Sequence, residues 1–174
     1  MVLAVIAAGT LMRLVLAQAL GLGVDESYAV AVARQFSLSY FDHPPLHFWI
    51  AGGVARLAHS ESGLVVRLPF ILCFALTTWL MYKLGARLFG ERAGAAAALL
   101  LNVSAVFSLS TGGWVLPDGP LMLLMLASVL VTAGVLFDEA PAHPTARWAL
   151  AGLLAGLAMQ IGRASCRERV CVPV

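Results

Sequence analysis

The chain has 174 residues, of which 61% are apolar and 11% are charged, and its formal net charge is +2. Soluble domains are nearer half apolar and a quarter charged, so this chain has too few charges to cover the surface of a soluble globule. The same figures exclude a disordered chain, and the scattered arginines form no basic stripe for nucleic acid. The composition therefore predicts an all-α polytopic membrane protein, a bundle of transmembrane helices.

Five apolar stretches predict membrane spans, since a spanning helix needs about 20 mostly apolar residues. They are residues 2–22, 64–82, 93–109, 121–137 and the start of a span at 148–160. A signal peptide is the alternative for the first stretch, because Ala17, Gln18 and Ala19 resemble a cleavage site. However, no Lys or Arg precedes its apolar core, as a signal peptide would require.

The segment between the first two spans, residues 24–62, is different in composition. It carries acids, arginines, histidines and aromatic residues, and its apolar residues recur with helical spacing. Pro44 and Pro45 interrupt the pattern and can start a second helix. We therefore predict two interfacial helices, 26–38 and 45–58, that lie along the membrane surface in the first extracytoplasmic loop.

The cationic loops predict the orientation of the chain. Lys83, Arg87 and Arg92 follow the second span, and Arg147 precedes the fifth. Short loops rich in Lys and Arg face the cytoplasm, so the N-terminus is also predicted to be cytoplasmic. The segment 24–62 and the turn at 110–120 then face outward, separated by two crossings.

Three carboxylates on this outward side lie close to the ends of apolar helices, where charge is costly and often functional. They are Asp25, Glu26 and Asp118, and two crossings of packed helices could bring them into one cleft. Simpler interpretations remain open. Asp25 could be the N-cap of a helix, and Asp118 with Gly119 is a common turn pair.

Three further candidate residues each have a structural interpretation that stays open. Arg13, in the middle of the first span, is either a structural arginine paired inside the bundle or a guanidinium fork for a lipid phosphate. Asp42 could cap the helix that follows it, and His43 could be an ordinary interface residue.

The order of these motifs resembles a known family. The motifs are Arg13, then Asp25 to Tyr28, Tyr40 to Leu46, Val66 to Pro69, Leu88 to Gly90, and Leu116 to Leu121. Together they resemble the N-terminal part of the family 39-like membrane glycosyltransferases of the GT-C fold, which include protein-mannosyltransferase-like and aminoarabinose-transferase-like enzymes. The resemblance extends over residues 1–160.

The resemblance implies inverting transfer of a sugar from a polyprenyl-phosphate donor, on the extracytoplasmic face of a bacterial plasma membrane. The acceptor would be a lipid, a protein or a glycan. Asp25 matches the family's candidate catalytic carboxylate, with Glu26 beside it, and Asp118 matches its second acid. Asp42 stands where some relatives hold a divalent metal ion. We expect Arg13, Tyr28 and His43 to contact the substrate.

The alternative from a different functional class is a transporter or flippase-like protein that binds a lipid-linked substrate without breaking a bond. Such a protein would also need charge inside the membrane.

The end of the chain affects both interpretations of function. Residues 161–170 resemble the translation of a sequencing adaptor, so we interpret 161–174 as a non-native tail; a genuine basic loop is the alternative. On the first interpretation the chain is truncated and inactive alone.

Overall fold

The computed structural model describes residues 1–40, 43–138 and 143–162. These residues form α-helices and one π-helical segment and contain no strand, which confirms the predicted all-α class. Residues 163–174, the greater part of the tail, lie outside the described residues. The helices are α1 (Val2–Ala19), α2 (Val24–Ala33), α3 (Leu46–Ala58), α4 (Gly63–Phe89), α5 (Glu91–Val103), α6 (Asp118–Phe137) and α7 (Pro144–Gly162), with the π-helical segment Val106–Thr111 between α5 and α6.

Among the described residues, three helices are long and apolar enough to cross a membrane: α1, α4 and α6. The stretch predicted as a span at 93–109 is divided. Its α-helix ends at Val103, because Ser104 takes an extended backbone conformation, and the chain resumes as the π-helical segment. The last helix begins at Pro144 rather than at residue 148, and proline is well suited to the first turn of a helix.

The two short helices between α1 and α4 also differ from the predicted bounds. α2 covers Val24–Ala33 where 26–38 was predicted, and α3 covers Leu46–Ala58 where 45–58 was predicted. α2 packs on α3, and α3 packs on α4. The pair α2 and α3 is thus held against α4 through α3, and α4 also contacts α1, α5 and α6.

Polarity is distributed as a membrane requires. Large apolar side chains are exposed on the outer faces of the bundle, including Leu3, Leu11, Val15, Leu72, Leu76, Val129, Leu136, Leu150 and Leu153. Polar and charged side chains are instead buried inside it: Arg13, Glu26, His47, Arg67, Thr77, Thr78, Ser108 and Thr111. Lipid tails accommodate apolar side chains but offer no hydrogen bonds to polar groups that face them. This arrangement therefore suits a bundle surrounded by lipid.

At the end of the bundle opposite to α2, the end of α4 and the start of α7 meet at one carboxylate. Asp138 accepts hydrogen bonds from Arg87, at the end of α4, and from Arg147, at the start of α7. Two of the cation-bearing loops that predicted the cytoplasmic side therefore lie together.

Helices α4 and α5 pack closely through glycine, and this contact can be tested. A Cβ atom on Gly94 would lie 2.5 Å from the carbonyl oxygen of Tyr82 and 2.6 Å from the amide nitrogen of Ala86. We expect Gly94→Ala to lower the free energy of unfolding in detergent by about 1–3 kcal/mol, because the two backbones must separate. Gly156→Ala is the control, since a Cβ there meets nothing within 4 Å and the helix gains propensity. Equal stability of the two variants would contradict the prediction.

Candidate active site

The start of α2 is set by Glu26 and not by Asp25. Gly23 is the N-cap, and the carboxylate of Glu26 reaches back to accept a hydrogen bond from the Gly23 amide at 2.9 Å. This is the acidic half of a capping box. The alternative in which Asp25 caps the helix is therefore wrong, and α2 begins at Val24.

Glu26 is buried and forms an ion pair with Arg67 of α4. The Nε and Nη2 atoms of Arg67 donate to the two carboxylate oxygens at 2.8 and 2.6 Å. The same guanidinium donates to the carbonyl oxygens of Leu20 and Gly21, at 2.9 and 2.8 Å, just beyond the end of α1. A cation at a helix C-terminus also stabilises the helix dipole. One arginine thus joins α1, α2 and α4.

The carboxylate of Glu26 also holds the chain that leads into α6. Its Oε1 atom accepts a hydrogen bond from the backbone amide of Val115 at 3.0 Å, and Val115 is fully buried. Both oxygens of Glu26 are therefore occupied by donors from other parts of the fold. Such a carboxylate is placed to fix its neighbours in position, and it is badly placed to exchange protons with a substrate.

The surroundings of Glu26 also determine its ionisation. Burial alone raises the pKa of Glu26, but hydrogen bonds from Arg67, Gly23 and Val115, with the charge of Arg67, outweigh burial and hold the pKa below its ordinary value. A carboxylate of this kind stabilises the fold fully above its unfolded-state pKa. That stabilisation is lost as the pH falls toward the folded-state pKa.

The pH dependence gives a direct test of this contact. We expect the difference in unfolding free energy between the wild type and Glu26→Gln to be constant from pH 7 to about pH 5.5. It should then shrink as the pH falls below the ordinary pKa of 4.5, because the unfolded chain takes up the proton first. Chemical unfolding in a mild detergent from pH 7 to pH 3 measures this. A difference that stays constant down to pH 3 would show that Glu26 is not held as an anion.

Asp25 and Asp118 line one pocket, of about 320 Å³, and neither Glu26 nor Arg67 is among its lining residues. Its other lining residues are Tyr28, Ala29, His43, His47, Phe48, Val115, Leu116 and Pro117. Both carboxylates are exposed, and neither forms an ion pair within the described part of the chain. The volume is at the lower end of the range for small-molecule sites.

The two acids reach the pocket from the N-terminal ends of two helices. Asp25 is the second residue of α2, and Asp118 is the first residue of α6 rather than part of an isolated turn. Negative charge is favourable at a helix N-terminus, so both carboxylates lie where the backbone stabilises them. They come from parts of the chain that are 93 positions apart, and the hydrogen bond from the Val115 amide to Glu26 holds these two parts together.

Aromatic rings form another wall of the pocket. Phe48 packs against His47 and Tyr40, with ring centroids 3.9 and 4.6 Å apart, and against the edge of Tyr28 at 6.4 Å. His43 lies beside His47, at 5.8 Å between centroids. Tyr28 and His43, which we expected to contact substrate, are therefore next to the two acids, and His47 and Phe48 join them.

A family comparison now bears on this site. The model of the dolichyl-phosphate-mannose-protein mannosyltransferase family matches residues 42–163. The chain belongs to this family. The protein is thus a membrane glycosyltransferase of the mannosyltransferase type, which uses a lipid-linked donor, and the predicted family is confirmed. No curated protein and no solved structure matches the chain. Asp118 lies inside the matched range, whereas Asp25 and Glu26 precede it.

Among the predicted site residues of this mannosyltransferase-family chain, Arg13 lies elsewhere, and Asp42 is not described. Arg13 does not line the pocket; it is buried in the bundle and donates to Ser108 and Asn102. Asp42, the predicted metal ligand, lies outside the described residues. Within the described ranges, no group of three or more His, Cys, Asp or Glu side chains could hold a metal ion. The residues described do not by themselves complete a metal site.

Arg67 is the residue next to the candidate site that sequence reasoning missed. It was noted only as part of the motif from Val66 to Pro69, although it is a charge at the start of an apolar helix. That placement is itself a signal, since ionisable residues inside a membrane segment usually have a partner or a function. In this mannosyltransferase-family fold, the partner is Glu26.

Proposed function

We propose that the protein transfers a sugar from a polyprenyl-phosphate donor to a hydroxyl or amine acceptor, on the extracytoplasmic face and with inversion at the anomeric carbon. The observation that carries the proposal is the pocket in which Asp25 and Asp118 are both exposed. The pocket lies at the end of the bundle opposite to the Arg87, Asp138 and Arg147 cluster. Under the orientation that we predicted from the cationic loops, this end faces away from the cytoplasm.

Asp25 is the proposed general base. As the acceptor oxygen or nitrogen attacks the anomeric carbon, Asp25 takes its proton, and the bond from that carbon to the donor phosphate breaks. The polyprenyl phosphate leaves as an anion. Because Asp25 is exposed and Glu26 is fully engaged by Arg67, only the first of these two neighbouring acids can reach a substrate.

Asp118 is proposed to face the same substrate from the other wall and to orient it by accepting hydrogen bonds from sugar hydroxyls. Tyr28 and His43 would pack against the sugar or donate to its oxygens, as rings with polar tips commonly do. Glu26, which we predicted as a catalytic residue, becomes a positioning residue in this proposal. A divalent ion at Asp42 remains a proposal from the resemblance alone, and no step here depends on it.

Transfer is tested with a labelled polyprenyl-phosphate sugar in membranes that contain the protein. The expected result is a glycosylated acceptor with inverted anomeric configuration, formed in equal amount with free polyprenyl phosphate. Label that crosses the bilayer with its sugar–phosphate bond intact would instead establish a flippase-like protein and overturn the proposal. Retained anomeric configuration would overturn the inverting mechanism.

A further inference from the structure

The buried guanidinium of Arg13 holds the π-helical segment. Its Nε atom donates to the carbonyl oxygen of Ser108 at 2.9 Å, and its Nη2 atom donates to the Ser108 hydroxyl, also at 2.9 Å. Both donors lie on one edge of the guanidinium plane, so Arg13 binds Ser108 at two points. Lysine has no such edge and could not reproduce the contact.

Neutral groups surround this charge. Nη2 also donates to the side-chain oxygen of Asn102 at 3.2 Å, and the guanidinium carbon lies 4.3 Å from the ring centre of Phe74. Asn102 is in turn oriented by donating to the Thr78 hydroxyl at 3.0 Å. In the part of the chain that the structure describes, Arg13 forms no ion pair. A buried cation without a counter-ion is costly, so a role beyond packing is expected.

The backbone next to Ser108 is shaped around the guanidinium. A Cβ atom on Gly112 would lie 2.8 Å from Nε of Arg13 and 3.0 Å from the ring of Phe74, so a larger residue would displace the arginine. The segment Val106–Thr111 is π-helical, a form that is rare and frequently found at functional sites. The close approach and the irregular helix occur at the same place, where Arg13 inserts.

Residues 112–117, here called the 112–117 linker, connect this segment to Asp118. The linker is held at two points: Arg13 binds Ser108 just before it, and Glu26 binds the amide of Val115 within it. We propose that Arg13 is a positioning residue that fixes the linker and so holds Asp118 at the pocket. The proposal rests on the proposed function only for its catalytic consequence, and the contact itself can be tested separately.

Hydrogen exchange tests the contact without any assay of activity. In the membrane-inserted protein, we expect amides of the 112–117 linker to exchange about tenfold faster in Arg13→Lys, because a lost hydrogen bond to a charged group is worth about this factor. Ser108→Ala removes one of the two bonds and should raise exchange less. Ser110→Ala, in the same π-helical segment but without a bond to Arg13, is the matched control and should exchange as the wild type does. Equal exchange in the wild type and Arg13→Lys would overturn the proposal.

Steady-state kinetics of sugar transfer test the consequence. We expect Arg13→Lys to lower kcat about tenfold to hundredfold, as misplacement of a reacting group does, with less than about a threefold change in the donor KM. Ser108→Ala should change kcat in the same direction, and Ser110→Ala should not. A raised donor KM without faster linker exchange would overturn positioning in favour of direct phosphate binding by Arg13. Faster exchange with unchanged kcat would refute the catalytic role. If the wild type transfers no sugar, the proposed function fails, and exchange alone decides whether Arg13 holds the linker.

Discussion

Replacement of Asp25 by Asn is expected to lower the rate of sugar transfer by about 10²- to 10⁴-fold, because an amide cannot take a proton from the attacking acceptor. The side chain is exposed in the pocket and forms no ion pair within the described residues, so the fold should tolerate the change. The measurement is turnover of a labelled polyprenyl-phosphate sugar, together with the yield of membrane-inserted protein.

A carboxylate outside the pocket provides the control. Glu61 is exposed and pairs with Arg34, and it does not line the pocket of Asp25 and Asp118. Glu61→Gln removes the same charge and should leave transfer unchanged. If Asp25→Asn retained the turnover of the wild type while Glu61→Gln behaved likewise, Asp25 would not be the general base.

Replacement of Arg67 by Met should destabilise the protein by about 3–5 kcal/mol, since it leaves the carboxylate of Glu26 buried without its cation. The pair is nearly inaccessible to solvent, with side-chain exposures of 3% and 2%. The variant also removes the donors to the carbonyl groups at the end of α1. Unfolding in mild detergent, followed by helical circular dichroism, measures the loss.

The chain contains a matched pair with the opposite exposure. Arg34 and Glu61 form a bidentate ion pair of similar length, at 2.9 and 2.7 Å, but their side chains are 65% and 40% exposed. Arg34→Met should therefore change stability by only about 0–1 kcal/mol. The double variant Arg67→Met with Glu26→Gln should lose less than the sum of its two single variants, because no charge remains buried. A loss of under about 1 kcal/mol in Arg67→Met would contradict the assigned role of the buried pair.

Composition alone was sufficient to predict the class of the protein. With 11% of its residues charged, the chain has too few charges to cover the surface of a soluble protein. Its long apolar stretches are instead typical of membrane-spanning helices. Helix ends were harder to predict. The stretch 93–109 looks continuous in composition, but backbone hydrogen bonding changes at Ser104 and a π-helical segment follows, which apolar periodicity does not reveal.

The partners of the charged residues were also beyond local sequence. Arg13 is consistent with a phosphate ligand or a structural residue when read along the chain, and its contact with Ser108, 95 positions later, follows from neither interpretation. Arg67 pairs with Glu26 across 41 positions. Contacts at such separations depend on which helix faces meet, and a single sequence contains no record of that.

The motif order was enough to predict the family and to select Asp25, Glu26 and Asp118 as candidates, because these residue types at helix ends suit proton transfer at a membrane surface. Only tertiary packing separated the roles of Asp25 and Glu26. Adjacent residues in an α-helix point about 100° apart, so when Glu26 of α2 turns inward to Arg67 of α4, the carboxylate beside it points in another direction. Glu26 turns to Arg67 and Val115, and Asp25 remains in the pocket with Asp118.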